Sequence, residues 1–168
     1  MYRKLTAIMV LSAVGLIRPS QAGHAGNNMD EEDCTPLRGV PGVRVGVDKI
    51  HPDADKLGLN EIEIAADVAA QLRKAGIKVG GPQYPLLRIR GRIASRERYP
   101  HVVAYSVDVR LEENAHLCRT PGEDQPAVTW ESGEVGLLKP AEVRRVRDAI
   151  QSHVGAFITT WRQANSTK

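Results

Sequence analysis

From Leu86 to Glu112 apolar and polar positions alternate. Leu87, Ile89, Gly91 and Ile93 interleave with Arg88, Arg90 and Arg92; after a charged turn from Ala94 to Pro100, Val103, Tyr105, Val107, Val109 and Leu111 interleave with Ala104, Ser106, Asp108, Arg110 and Glu112. Period-two alternation in two adjacent runs predicts an antiparallel hairpin, apolar on one face and wet on the other. Val43, Val45 and Val47 alternate in the same way and predict an earlier strand, ended by His51-Pro52-Asp53. Ile77-Lys78-Val79 reads as a short strand. Val128 to Val135 reads as a late one, with a kink or bulge expected at Gly133.

Two segments carry the helical period instead. In the first, Asn60 is a good N-cap with Glu63 three residues on, and Leu59 and Ile64 occupy the staple positions. Ile62, Ile64, Ala65, Val68, Ala69 and Leu72 fall on one face, and Gly76 and Ile77 supply a Schellman ending. The second opens at Pro140 with Glu142 in its first turn. Its stripe is Val143, Val146, Ile150, Val154, Phe157, Ile158 and Trp161, with Arg144, Arg145, Arg147 and Asp148 opposite. Each strand has a single apolar face, so the helices belong together on one side of the sheet. The predicted fold is a two-layer α+β domain over residues 42–165, with a mostly antiparallel sheet of four to five strands. The rows Arg88/Arg90/Arg92 and Ser106/Asp108/Arg110/Glu112 are expected on its bare face.

The beginning of the chain reads differently. Arg3-Lys4 precedes an apolar run from Leu5 to Ile17, and small residues follow at Ser20-Gln21-Ala22 and Gly23-His24-Ala25. That is the layout of a signal peptide over residues 1–25, and the run is too short to span a bilayer. Residues 26–41, with the acidic block Asp30-Glu31-Glu32-Asp33, read as a flexible leader. The predicted destination is the bacterial periplasm or the exterior.

Export changes the charge and cysteine arguments. The full chain holds 23 basic and 20 acidic residues; Arg3, Lys4 and Arg18 leave with the signal, so 20 of each remain. A neutral mature chain gives no support to nucleic-acid binding. The two cysteines, Cys34 and Cys118, form an even pair in an oxidising compartment and are expected to bond. Closing so long a loop is worth on the order of 4–5 kcal/mol in the chain-entropy account.

Candidate chemistry is sparse. Arg88, Arg90 and Arg92 on the strand, with Arg96 and Arg98 in the turn, form a basic row suited to phosphates, lipid headgroups or an acidic partner. The plainer interpretation is a solvated sheet face paired across to Asp108 and Glu112. The acidic block lacks the spacing of a calcium loop. His51, His101, His116 and His153 show no metal-site spacing; His116 and Cys118 share a strand face but read more simply as a loop histidine beside a disulfide. Ser106 and Ser132 have no nucleophile-elbow context, and no phosphate-cradling glycine loop occurs. Glu131 and Glu134 are placed on the surface by default. Trp130 and Trp161 read as anchors between the sheet and the last helix. No catalytic residues, metal or cofactor are assigned.

Several punctuating motifs carry a resemblance: Pro41-Gly42-Val43; Gly58-Leu59 ahead of Leu72-Arg73-Lys74-Ala75-Gly76-Ile77; Thr129-Trp130-x-x-Gly133; and Phe157-Ile158-x-x-Trp161-x-x-x-Asn165. The set resembles a group of short exported bacterial proteins of uncharacterised function, and covers nearly the whole mature chain. The element order is similar to small periplasmic domains such as the amino-terminal domain of the Tol translocation protein and the outer-membrane assembly lipoproteins. Unlike the lipoproteins, this chain has no cysteine at its cleavage site. The absence of a catalytic constellation, the expected export and this fold analogy together point to a non-enzymatic envelope module. It binds or helps assemble an envelope protein or an anionic envelope component, through the bare sheet face or a sheet edge, by charge complementarity or strand addition. The alternatives are a polyanion or headgroup binder using Arg88, Arg90 and Arg92, and a small hydrolase with an unrecognised site.

Overall fold

The computed structural model describes residues 35–48, 50, 58–95, 98–116 and 122–166. The signal-like segment, the acidic block, Cys34, Cys118, His51 and Arg96 lie outside the described residues, and the expected disulfide lies there with its cysteines. Five strands, β1 (Gly42–Val47), β2 (Lys78–Val79), β3 (Leu86–Ser95), β4 (Val103–His116) and β5 (Asp124–Leu138), form one sheet in the order β2-β1-β3-β4-β5. Helices α1 (Glu61–Lys74) and α2 (Arg145–Asn165) complete the expected α+β domain.

The sheet is mixed rather than mostly antiparallel. β3, β4 and β5 form an antiparallel meander, but β1 runs parallel to both β2 and β3. The reason lies in the connections. α1 carries the chain from the end of β1 back to the start of β2, as a parallel pair requires.

Local signals place α1 well. Asn60 accepts from the backbone N–H groups of Ile62 and Glu63. At the other end Gly76, at φ +88°, and Ile77 donate to the carbonyls of Arg73 and Leu72, closing the Schellman motif. Its buried face is narrower than the pattern suggests: Ile64, Val68, Ala69 and Leu72 are buried, whereas Ile62 is 81% exposed. In α2 the stripe Val146, Ile150, Val154, Phe157 and Ile158 is buried, preceded by a 3-10 turn over Pro140–Glu142. Phe157 meets Trp130 edge-on with ring centres 5.1 Å apart. Together these residues cover Leu87, Ile89, Val107, Val109 and Leu111 of the sheet.

Two details depart from the sequence reading. The β-bulge falls at the Leu111/Glu112 step, where Thr129 is the extra residue of β5, and not at Gly133. Gly133 pairs in regular register with Asp108, and the glycine is there because a Cβ would stand 2.5 Å from the Val107 carbonyl oxygen. Residues 35–41, read as leader, also join the domain. Thr35–Leu37 is a 3-10 turn, Leu37 and Val40 are buried, Trp161 Nε1 donates to Val40 O, and Asn165 Nδ2 donates to Leu37 O. Among the described residues no helix is long and apolar enough to cross a membrane.

Candidate functional site on the open sheet face

Alternation puts Leu87 and Ile89 beneath the helices and Arg88, Arg90 and Arg92 on the opposite, helix-free face. The basic row does not act as a unit. Arg88 Nη1 donates to Asp48 Oδ1 at 2.9 Å and its Nε to Glu112 Oε1 at 2.8 Å, while Arg90 Nε donates to Asp48 Oδ2 at 3.0 Å. The acceptor next to the row is Asp48, just past the end of β1. Asp108 instead faces Arg110, which also lies 3.3 Å from Glu131. Burial alone would push the Asp48 carboxyl up. Hydrogen bonds and charge from Arg88 and Arg90 outweigh it and hold the group below the usual aspartate range. Arg88 is pushed up, chiefly by its hydrogen bonds to Glu112 and Asp48.

One end of the open face has another character. In register, the row Arg92, Ser106, Val135 is followed by the row Ala94, Ala104, Leu137. Val135 is 84% exposed and Leu137 72%. Ala94, Ala104 and Leu137, with Tyr99 and Val102 from the turn, line a cleft of about 400 Å³. Arg92 is exposed and forms no ion pair among the described residues. Arg98 sits with its guanidinium 6.0 Å from the Tyr99 ring centre. An apolar hollow therefore lies beside two arginines that pair with no carboxylate among the described residues, while Arg88 and Arg90 are held in ion pairs further along the face. A second hollow, of about 310 Å³, opens at the opposite end among Arg44, Gln83, Tyr84, Glu112 and Asn114. There Arg44 Nε already donates to the Tyr84 carbonyl.

The remaining candidates resolve as local bonds. His116 Nδ1 is 2.6 Å from Asp124 Oδ1, across the β4–β5 connection. Among the described residues no cluster of three metal-ligating side chains occurs. Arg147, expected in solvent, reaches across to α1, where its Nε donates to Asp67 Oδ2 at 2.9 Å and its Nη1 to Glu63.

One cluster escaped the sequence reading. Ser132 Oγ lies 2.8 Å from His153 Nδ1, His153 Nε2 lies 3.5 Å from Glu134 Oε2, and the Tyr105 hydroxyl donates to Glu134 Oε1 at 2.5 Å. The hydrogen bond to Glu134, then burial, holds the Tyr105 phenol above its ordinary value. Hydroxyl, imidazole and carboxylate in this order can pass a proton. Yet the imidazole, carried by α2 and turned toward β5, is only 14% exposed, and neither cleft includes any of these residues. The only sequence signal was that Ser132 and Glu134 share one face of β5. No protein-family model and no curated protein matches the chain.

Proposed function

We propose that this is an exported, non-enzymatic binding module of the bacterial envelope. Its ligand is an extended segment of a partner protein that places a large apolar side chain in the Tyr99/Val102/Leu137 cleft and a carboxylate beside Arg92 and Arg98. The observation that carries this reading is the pairing of an exposed apolar hollow with Arg92, which has no ion-pair partner among the described residues, on a face where Arg88, Arg90 and Arg110 have theirs. A charge with no internal partner is available to an external one, and a flat sheet face suits a chain lying along it. The signal-like start of the sequence supports export. Replacing Arg92 and Arg98 with Ser should abolish partner capture in intact cells. Replacing Arg88 and Arg90 should leave capture in place and lower stability. If anionic vesicles bind the protein through Arg92 and Arg98 and no partner protein is captured, the headgroup alternative replaces this reading.

The hydrolase alternative is kept in view by one observation, the Ser132–His153–Glu134 order. Its setting between α2 and β5 favours a structural role, in which the His153 imidazole ties the helix to the strand.

A further inference from the structure

The two edges of the sheet are finished differently. At one edge β2 is two residues long, carries Lys78, and is followed by Gly80 and Gly81 at positive φ. At the other, β5 runs for fifteen residues and among the described residues no strand lies beyond it. Pro126 guards only its first part. From Glu131 onward there is no proline and no bulge; the one inward-facing charge, Glu134, is held by Tyr105 and His153, and the exposed Val135 and Leu137 sit on the other face. A long, regular, apolar edge is a template for another strand.

We propose that the strand it receives is β5 of a second copy, paired antiparallel about a two-fold axis at Val135, making one continuous ten-stranded sheet. A two-fold perpendicular to the sheet must centre on a residue, because directly opposite residues share a face. Centring on Glu131 or Glu134 sets a carboxylate against its own copy. Centring on Ser132, Gly133 or Gly136 gives Glu131 no basic partner. Centring on Val135 alone places Glu131 opposite Lys139 of the second copy, twice over. Lys139 lies just past β5 with extended backbone (φ −76°, ψ 151°); its backbone N–H and carbonyl are taken by Glu142, so it offers the second copy its side chain and not a further rung of the ladder. Glu131 is 64% exposed and keeps room for a second cation besides Arg110. In the same register Val135 meets Val135, Leu137 meets Gly133 with no opposing side chain, and Glu134 meets Gly136. The apolar residues that β5 now exposes become a shared cluster, and both edges of the joined sheet are the short, lysine-bearing β2 strands. Leu137 lines the cleft and in this register also faces Gly133 of the second copy, so the ligand proposed above and the second copy share that side chain; the other lining residues, Ala94, Tyr99, Val102 and Ala104, lie outside the paired strands.

Sedimentation velocity of the purified protein across a concentration series tests this, with circular dichroism to show that each variant folds. The expected result is a monomer–dimer equilibrium. Val135→Lys, which sets two ammonium groups face to face, should weaken it by at least about ten-fold, as should Glu131→Lys or Lys139→Glu alone. The Glu131→Lys/Lys139→Glu double variant should restore it, since the pair is merely exchanged. A protein that is monomeric throughout, or a dimer indifferent to Val135→Lys, overturns the proposal. A dimer broken by both single charge changes but not restored by the double variant overturns the register on which it rests.

Discussion

The Asp48 carboxylate takes one hydrogen bond from Arg88 at 2.9 Å, and through it the end of β1 is fastened to the first half of β3. Arg90 closes the other carboxylate oxygen at 3.0 Å. Because the Asp48 pKa is depressed in the folded chain, the unfolded chain takes up the proton first as acid is added. The contribution is therefore complete above about pH 4 and fades as the pH falls below that. Asp48→Asn should lower stability at pH 7 by about 1 kcal/mol, the scale of a partly exposed charged pair. Urea unfolding at several pH values checks this: the gap between wild type and variant should narrow below about pH 4.

Arg147 makes the corresponding link between the helices. A double-mutant cycle with Arg147→Ala and Asp67→Ala should show a coupling of about 0.5–1 kcal/mol at low salt, diminished in 1 M NaCl. A coupling of zero would mean that the ion pair adds nothing to apolar packing between α1 and α2.

Leu37 is fully buried although it precedes the first strand. Leu37→Ala should cost about 2–4 kcal/mol, a core-sized loss, measured by thermal or chemical unfolding. A chain starting at Gly42 should be destabilised still further, since it also forfeits the Trp161–Val40 and Asn165–Leu37 hydrogen bonds.

These three relationships mark where sequence reasoning reaches and where it stops. The β3–β4 hairpin, its facing and the caps of α1 are written in neighbouring residues, in period-two alternation and in Asn60, Gly76 and Ile77. Leu37 and Val40 carry no such pattern; what orders them is Trp161 and Asn165, more than 120 positions away. Ile62 looked buried because a broad apolar face was read where only a narrow one touches the sheet. Asp48 was overlooked as the partner of Arg88 and Arg90 because the parallel placement of β1 beside β3 depends on the whole topology. The candidate site was half legible: the arginines stood out, but which were already neutralised follows only from register.

Ser132 and His153 offer a direct check on the hydrolase alternative. A fluorophosphonate probe should leave Ser132 unlabelled, and hydrolysis of an activated ester should be unchanged in Ser132→Ala. His153→Ala should instead lower stability by about 1–2 kcal/mol, the scale of a half-buried hydrogen-bonded link. Labelling at Ser132 that is lost in His153→Ala would reverse the assignment.

The cleft itself is tested most directly by photocrosslinking in intact cells from a benzoylphenylalanine placed at Val102, which lines the hollow away from the β5 edge. The same probe at Ile62, exposed on α1, serves as the control. A discrete adduct from position 102, absent from position 62 and lost when Arg92 and Arg98 are both Ser, is the predicted result. Adducts that are the same from both positions, or that persist without the two arginines, would contradict it.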